Sequence, residues 1–265
     1  MIQNCALTIA GSDSGGNAGI QADLRAFHSY SLHGCTVLAA LTAQNPFGVS
    51  AVHCVPPDFV AAQLDAVLST YSIKALKTGM LADERIIEVV ASKLAAHPEI
   101  AKVIDPVMVA TSGARLISES AIEVLRRSLI PQATIITPNL PEADVLLDEP
   151  DIAPDDMRAR ARALAERYGV AVLLKGGHAD SAEAVDVLCE ADGKIQEFSS
   201  PRIANPVSTH GTGCSLAAAI AAELALGHSI ADAVAGAKEY VLSAIRNSYL
   251  VGPKGCGVLG FVKNR

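Results

Sequence analysis

The sequence lacks the charge pattern of a nucleic-acid-binding protein. Lysine and arginine together number 21 against 28 aspartates and glutamates, and the basic residues are scattered along the chain. Proteins that bind DNA or RNA cluster their basic side chains to replace phosphate counterions. We therefore expect no nucleic-acid partner. A small anionic substrate remains open, because a few backbone amides and one lysine can form a local positive site on an acidic protein.

Signals for membrane insertion, secretion and disulfide bonding are also missing. No apolar run approaches the about 20 residues needed to cross a bilayer. The opening segment MIQNCALTIAGSD has no basic region and passes directly into a strand pattern, so we expect no secretion signal. The six cysteines form neither CxxC pairs nor close Cys/His ligand spacings. These absences predict a cytoplasmic protein with reduced thiols and no membrane partner.

Two common nucleotide-binding motifs are absent as well. No window supplies GxxxxGK followed by serine or threonine, which excludes Walker-type NTPases. A glycine-rich segment at 11–19 follows a strand pattern and precedes a helical one, as a dinucleotide fingerprint would. Its glycines nevertheless fall at positions 11, 15, 16 and 19 rather than in GxGxxG, so a dehydrogenase is not indicated.

The hydrophobic pattern alternates between strands and helices. Short runs rich in valine, isoleucine and leucine predict buried parallel strands at 6–10, 36–43, 74–79, 102–107, 134–137 and 171–175. Helical periodicity joins Ile20, Leu24 and Phe27 on one face. It also predicts helices over 56–71, 83–96, 120–129 and 154–168. This succession is typical of βαβ repetition.

The last third of the chain departs from that repetition. Runs 185–190 and 195–200, joined across Asp192 and Gly193, predict a hairpin at an antiparallel edge. Two alanine-rich helices are expected over 213–226 and 230–248. With no linker-like stretch or repeat, the 265 residues predict a single-domain three-layer α/β/α sandwich with a mostly parallel central sheet. Ligands are expected beyond the carboxyl ends of its parallel strands.

The segment THGTGCS at 209–215 has the composition of an anion site. Gly211, Thr212 and Gly213 stand immediately before the helix-forming LAAAIAAELALG. Glycines allow the backbone to approach an anion closely, while unpaired amides and the helix dipole favour negative charge. The alternative is an ordinary glycine loop that leads into a buried helix. The long apolar helix favours the anion site, because such a helix holds its N-terminus rigidly.

Cys214 lies in the first turn of the same predicted helix. A helix dipole lowers a thiol pKa there and promotes the thiolate, which could accept a proton or bind an aldehyde covalently. The alternative is a small buried apolar residue, the usual environment of a free cysteine. Position alone does not separate the two, and we expect the other five cysteines to be packing residues.

Several ordered motifs carry a family resemblance. GTGC with its helix resembles the GxGD anion-hole motif of ribokinase-like kinases, while THGTGC and AGSDSGGNAGIQADL resemble the hydroxymethylpyrimidine/phosphomethylpyrimidine kinases of thiamin biosynthesis. The matching motifs in the rest of the chain, in the same order, are TAQN (42–45), KTGM (77–80), IDPVMVATSG (104–113), TPNLPEA (137–143) and LLKGGH (173–178). The resemblance spans practically the whole chain.

This resemblance implies an activity, cofactors and a partner. The expected reaction uses ATP and Mg²⁺ to phosphorylate 4-amino-5-hydroxymethyl-2-methylpyrimidine, abbreviated HMP, and then HMP phosphate. Dimers are usual in similar kinases, so a homodimer is expected. Two alternatives stay open: a pyridoxine or pyridoxal kinase on the same scaffold, and a non-catalytic ligand sensor or binding module that kept the fold. Related pyridoxal enzymes carry a second cysteine in their lid, where this chain has Ala110. That difference favours the pyrimidine.

The resemblance also implies the catalytic residues. The wider class carries an aspartate in place of Cys214, where it deprotonates the attacking alcohol, so Asp105 is an alternative base. Asp105 could instead cap the turn before Pro106. Positioning and charge neutralisation supply most of the catalysis in phosphoryl transfer. A phosphate monoester, whose second pKa is about 6, is already ionised and needs no base in the second step. A lid is expected over 110–115, with Gly113 as its hinge.

For the nucleotide and metal, the resemblance points to five residues. Asn139 and Glu142 match the NxxE motif, in which the glutamate helps to organise Mg²⁺ through water, with Asp105 as a second metal-binding candidate. Lys175 ends an apolar strand and could reach a phosphate, and Lys238 is expected beside the nucleotide. The alternatives are a first-turn glutamate that complements a helix dipole and a solvated lysine at a strand end.

The same resemblance assigns the pyrimidine pocket to Gly11, Asp23, Gln44, Met80, Val107 and His210. Gln44 carries both an amide donor and an acceptor, which can pair with a ring nitrogen and an exocyclic amine. Asp23 could otherwise be a solvated helix carboxylate, and Met80 and Val107 could be core residues. His210 could bond a phosphate or tune Cys214, although a lone histidine is more often structural.

Overall fold

The computed structural model describes residues 4–108, 117–148, 156–177 and 183–261. Within them the strands are β1 (Cys5–Asp13), β2 (His33–Asn45), β3 (Gly48–Cys54), β4 (Ile73–Thr78), β5 (Ala101–Ile104), β6 (Ile135–Ile136), β7 (Ala171–Lys175), β8 (Glu183–Cys189), β9 (Ile195–Pro201), β10 (Tyr249–Val251) and β11 (Cys256–Val258). The helices are α1 (Gly19–Ser29), α2 (Pro57–Leu68), α3 (Glu84–Ala95), α4 (Glu119–Val124), α5 (Leu140–Leu147), α6 (Met157–Tyr168), α7 (Thr212–Ala225) and α8 (Ile230–Arg246).

Nine of these strands form one sheet in the order β3-β2-β1-β4-β5-β6-β7-β8-β9. The six strands from β2 to β7 in that order are parallel, while β3 at one edge and β8 with β9 at the other are antiparallel. The predicted parallel core and the predicted hairpin at one edge are confirmed. The antiparallel strand β3 at the opposite edge was not expected. Strands β10 and β11 pair separately.

Helices cover both faces of the sheet, which confirms the predicted three-layer sandwich. One apolar layer packs α2 to α6 against the sheet, and the other packs α1, α7 and α8. Most of α7 is buried, and its alanines allow it to approach its neighbours closely. Because α7 contacts the sheet as well as α1 and α8, it is apolar on more than one face.

Local signals explain most helix boundaries. Asp83, Ser118, Asp156 and Ser229 are N-cap residues whose side chains accept a backbone N–H of the first turn. The predicted helix 120–129 is α-helical only to Val124 and continues as a π-helical turn. Helix α5 was not predicted as an element of its own, because eight residues give little periodicity.

Both helical layers pack against the same sheet. That the whole chain forms one domain stays a prediction. Among the described helices, none combines the length and the apolar character that a membrane span requires. The predicted lid at 110–115 with its hinge Gly113, and the histidine of the LLKGGH motif, lie outside the described residues.

Candidate active site

The glycine-rich segment after β1 is organised by a buried carboxylate. Asp13 accepts the backbone N–H of Gly15 through Oδ1, and those of Asn17 and Ala18 through Oδ2, each at 2.8 Å. The Asp13 N–H donates to Gln21 on α1 at 2.9 Å. Sequence reasoning overlooked Asp13, although an aspartate before a glycine pair is typical of a side chain that bonds the following backbone.

This segment touches the THGTGC loop from the other end of the chain. Gly211 has a φ of +90°, and a Cβ added there would lie 2.0 Å from the Asn17 carbonyl oxygen. Gly19 has a φ of +56°, and a Cβ there would lie 2.3 Å from the Gly11 carbonyl oxygen. Only glycine permits both contacts. The structure therefore brings together the two glycine segments that the sequence marked as important.

The loop ends in the N-terminus of α7. Gly211 is the N-cap, and Thr212, Gly213 and Cys214 are the first three helical residues. The N–H groups of these positions have no helical carbonyl to bond, and the helix dipole makes them attractive to an anion. The Thr212 hydroxyl donates to the Thr209 carbonyl at 2.9 Å, which closes the loop on itself. The loop therefore ends in a helix N-terminus that could attract an anion, and the anion site itself stays a prediction.

For Cys214, the structure favours the buried-thiol alternative over the thiolate. Burial raises the pKa of its thiol above the ordinary value, and Asp23 and Asp105 raise it further. Lys77 and a hydrogen bond from the Gly19 N–H act in the opposite direction without reversing the shift. Desolvation thus outweighs the Lys77 charge and the Gly19 hydrogen bond, and the shift favours the thiol form of Cys214.

Lys175 lies between an aspartate and the anion loop. Its Nζ is 3.0 Å from Asp105 Oδ1, which also accepts the Thr137 hydroxyl at 3.0 Å. A Cβ added at Gly213 would lie 3.7 Å from the same Nζ. Burial alone would lower the Lys175 pKa, but Asp105 and Glu142 raise it overall. Lys175 is therefore a charged, mostly buried lysine at the loop and not a solvated strand end.

Asn139 and Glu142 begin α5 as a capping box. The Glu142 N–H donates to Asn139 Oδ1 at 2.8 Å, and the Asn139 N–H donates to Glu142 Oε2 at 2.9 Å. The Lys175 N–H bonds the Pro138 carbonyl at 2.9 Å, which sets Asn139 beside β7. The interpretation of Glu142 as a first-turn residue that stabilises the start of a helix is thus correct. Because Glu142 is also buried near Lys175 and Asp105, its role in binding a metal stays a prediction.

The residues around Glu142 fit a divalent cation. Burial raises the pKa of Glu142 to about 7, Lys175 lowers it, and Asp105 raises it again. Two carboxylates therefore share one lysine, which leaves negative charge that a cation would balance. The part of the chain that the structure describes holds no group of three His, Cys, Asp or Glu side chains arranged for a metal. Mg²⁺ binds one or two carboxylates together with water and substrate phosphates, so Glu142 and Asp105 are the side chains here that would hold it.

On the other side of the loop, the predicted pyrimidine residues approach one another. Gln44 Nε2 on β2 lies 3.5 Å from His210 Nε2, although the two residues are far apart in sequence. The Thr42 hydroxyl donates to Gln44 Oε1 at 3.1 Å and so orients the amide. A Cβ at Gly11 would lie 3.0 Å from Met80 Cε. Val107 is half-buried at the end of β5. Their contact with a substrate stays a prediction.

Two predicted residues have partners that the sequence did not reveal. Asp23 is fully buried and bonds Lys77 and Thr8, so the interpretation as a solvated carboxylate is wrong. Lys238 donates to Asp186 Oδ2 at 2.6 Å and to the Ala184 carbonyl at 2.9 Å. Because Asp186 Oδ1 accepts the N–H of the residue after Lys175 at 2.9 Å, Lys238 braces the turn that follows β7.

The chain is similar to known kinases over most of its length. A family model described as phosphomethylpyrimidine kinase matches residues 13–259. The hydroxymethylpyrimidine/phosphomethylpyrimidine kinase of Salmonella typhimurium is 49% identical over 241 residues, covering 91% of this chain and 90% of that protein. The solved pyridoxal kinase of Bacillus subtilis, an ADP complex, superposes with a TM-score of 0.89 at 35% identity, covering 98% of both chains.

A solved phosphomethylpyrimidine kinase from Clostridium difficile gives a TM-score of 0.80 at 38% identity, covering 92% of this chain and 100% of that one. These matches confirm the predicted ribokinase-like fold and the predicted class of enzyme. The resemblance drawn from the motifs is confirmed by sequence comparison over most of the chain. The chain belongs to the phosphomethylpyrimidine kinase family.

Proposed function

We propose that this chain transfers a phosphoryl group from ATP to HMP, and then to HMP phosphate, to give HMP diphosphate for thiamin biosynthesis. The observation that carries the proposal is the position of the α7 N-terminus. It has Lys175 and Asp105 on one side, and the glycine segment of Asp13 on the other. A phosphoryl group in transfer would lie between a nucleotide side and a pyrimidine side.

The chain's own residues supply positioning and charge. Amides of residues 211–214 would stabilise the negative charge on the transferring group, and Lys175 would neutralise phosphate oxygens. Glu142 and Asp105 would hold Mg²⁺, which would supply positive charge to offset that of the phosphates. In the first step Cys214 or Asp105 accepts the hydroxyl proton. In the second step the acceptor phosphate is already ionised, so neither residue needs to act as a base.

A coupled assay of ADP release tests this function directly. The protein is given MgATP and, in parallel, HMP, HMP phosphate or pyridoxal. We expect rapid turnover with both pyrimidines and negligible ADP release without an acceptor. Turnover with neither pyrimidine would contradict the proposal.

Pyridoxal is a second candidate substrate because the Bacillus subtilis pyridoxal kinase superposes so closely. The chain has Ala110 where related pyridoxal enzymes carry a lid cysteine. We therefore propose pyridoxal as a side substrate, with a lower kcat/KM than HMP. A higher kcat/KM for pyridoxal in the same assay would reverse the assignment.

We further propose that the chain forms a homodimer through the β3 edge. All residues of β3 are exposed, and its outer backbone groups are available for pairing. Large apolar side chains are exposed on β3, on the adjoining part of β2 and in the turn between them: Leu41, Phe47, Val49 and Val52. We expect light scattering to give twice the chain mass, and Val49→Lys to give a monomer. Leu250→Lys, an exposed leucine on β10, is the control. A monomeric wild-type chain would contradict the proposal.

A cytoplasmic location is part of the same proposal. Five of the cysteines are free thiols in the structure: Cys35, Cys54, Cys189, Cys214 and Cys256. Disulfides persist in oxidising compartments and are rare in the cytosol, so free thiols suit a reducing one. Cell fractionation with an antibody against the chain should find it with cytosolic markers, and recovery with a membrane fraction would contradict this.

A further inference from the structure

Helix α5, which carries Glu142, is too short to be stable by itself. It has eight residues, and isolated helices shorter than about 12–15 residues are marginal in water. Its first turn is held by the capping box of Asn139 and Glu142, and the Met108 N–H also donates to Glu142 Oε1 at 3.4 Å. The last four carbonyl groups of a helix have no partner within the helix. The position of α5 therefore depends on what bonds its other end.

Side chains from two other elements bond the last carbonyls of α5. The bonds run from Arg126 Nη2 to Val145, from the Tyr168 hydroxyl to Leu146, and from Arg167 Nη1 to Leu146 and Leu147. The remaining carbonyl of the last turn, that of Asp144, accepts the Asp148 N–H at 3.0 Å. Two guanidinium groups thus lie at the negative end of the helix dipole, where positive charge is favourable.

Arg126 reaches α5 from an irregular part of the chain. It belongs to the π-helical turn Leu125–Leu129, which follows α4. Such turns are rare and frequently occur at functional sites. The Arg126 side chain is only 17% exposed, and its guanidinium bonds Glu123 and the Tyr168 hydroxyl as well as the Val145 carbonyl. The π-helical turn is therefore joined directly to the helix that carries Glu142.

The opposite end of α5 lies at the charged part of the candidate site. The Lys175 N–H bonds the Pro138 carbonyl just before the helix, and the Lys175 ammonium bonds Asp105. A side chain that binds a metal or a substrate must be held within about 0.5 Å of its working position by the residues around it. Because a hydrogen-bonded helix moves as a unit, the bonds to the last turn of α5 also fix its first turn, and with it Glu142.

We propose that Arg126 is a positioning residue for the metal: by bonding the last turn of α5, it holds the Glu142 carboxylate where Glu142 and Asp105 together can bind the Mg²⁺ that accompanies the nucleotide. Arg126 acts through α5 and does not bind the metal itself. The inference rests on the proposed function, which assigns Mg²⁺ to these two carboxylates.

The first test separates metal binding from nucleotide binding. Calorimetry on the full-length chain gives the dissociation constant of a non-hydrolysable ATP analogue in EDTA and in Mg²⁺, and the ratio of the two constants measures what the metal contributes. Arg126→Met should lower that ratio about tenfold. Arg127→Met changes the exposed neighbour of Arg126 in the same turn and should leave the ratio unchanged.

A merely structural role would weaken both dissociation constants by the same factor. An unchanged ratio in a folded Arg126→Met protein would therefore overturn the proposal.

The second test shows whether Arg126 acts through Glu142. Glu142→Gln removes the charge that would bind the metal, so it should lower the same ratio by itself. Adding Arg126→Met to Glu142→Gln should then lower the ratio by less than about twofold more, because the two changes affect one interaction. A further loss as large as that of Arg126→Met alone would contradict the proposal.

The third test needs no variant, so it decides the matter even if Arg126→Met does not fold. Hydrogen exchange in the intact wild-type chain without nucleotide is followed by mass spectrometry for α5 and for its neighbour α6. If the bonds to its last turn fix α5 in the free protein, its amides should exchange as slowly as those of α6. Rapid exchange of α5 that slows only when the analogue and Mg²⁺ bind would overturn the proposal.

The proposed function and this inference can fail separately. A chain that binds the analogue with Mg²⁺ but phosphorylates neither pyrimidine would contradict the function, and the ratio of dissociation constants would still decide the role of Arg126. A chain with normal turnover and an unchanged ratio in Arg126→Met would keep the function and remove the inference.

Discussion

Two lysine–aspartate pairs stand at the carboxyl edge of the same sheet, and they differ in exposure and in setting. Lys175 and Asp105 retain a little exposed surface next to Gly213, whereas Lys77 and Asp23 have none. Both lysines belong to apolar parallel strands and have nearly the same sequence context. Under the proposed function, the partly exposed Lys175 can reach a substrate phosphate directly, whereas Lys77, which has no exposed surface, cannot.

The largest effect on activity is expected for Lys175, which belongs to the more exposed pair on the nucleotide side of the site. Lys175→Met should lower kcat/KM for MgATP about 100-fold to 1,000-fold, because a charge aimed at the transferring phosphate is lost. Steady-state kinetics at saturating HMP measure this, with Lys93→Met as the surface control. If Lys175→Met lost less kcat/KM than the double variant Lys77→Met/Asp23→Leu, the expected order of the two pairs would be reversed.

Cys214 lies between the two pairs and gives the next largest effect. Cys214→Ser should slow the phosphorylation of HMP about 100-fold and that of HMP phosphate much less, because serine is a far weaker acid than a thiol. Single-turnover measurements of each step provide the test. Equal losses in both steps would mean that the loop contributes to catalysis only through its backbone amides.

The contribution of Glu142 to stability should depend on pH, unlike that of the fully buried Lys77–Asp23 pair. Its pKa is raised to about 7 in the folded protein, so its stabilising contribution is complete below about pH 4.5 and is lost as the pH rises through 7. Glu142→Gln, which retains the capping box, should remove this loss and raise the free energy of unfolding at pH 8 relative to the wild type. The gain should be on the order of 2 kcal/mol.

Urea denaturation at pH 5 and pH 8, without nucleotide, measures the effect of Glu142. At pH 5 the two proteins should differ little. A variant that is no more stable than the wild type at pH 8 would show that Glu142 ionises without a penalty, and the argument for a cation beside it would lose its basis.

The smallest effect is expected at His210, on the pyrimidine side. His210→Ala removes a side chain that contacts Gln44, so KM for HMP should rise about threefold to tenfold while kcat changes little. Initial rates over a range of HMP concentrations show the split between KM and kcat. A fall in kcat for HMP alone would instead place His210 in the proton transfer with Cys214.

The sequence predicted what depends on local pattern. Buried strands, the β8–β9 hairpin and the start of α7 follow from apolar runs and glycines, and the structure has them. Strand β3 was missed because GVSAVHC is short and exposed on both faces, which leaves no alternation to detect. The motifs also named Asp105, Glu142 and Lys175, whose side chains the structure brings to one end of the sheet.

What the sequence could not give depends on contacts between distant segments. Lys77 was seen only as part of a strand and a motif, and its partner Asp23 lies 54 residues away. Position in the sequence could not decide between a thiolate and a buried thiol at Cys214, because the helix dipole is a local effect and burial is a tertiary one. Charge and burial must be known together before a buried lysine can be assigned a role.

The most direct measurement is a crystal structure with HMP and a non-hydrolysable ATP analogue. The account predicts γ-phosphate oxygens about 2.7–3.1 Å from backbone nitrogens of the 211–214 loop, with Lys175 on the same group. A γ-phosphate bound away from that loop would contradict the central claim, even if the pyrimidine were found beside Gln44.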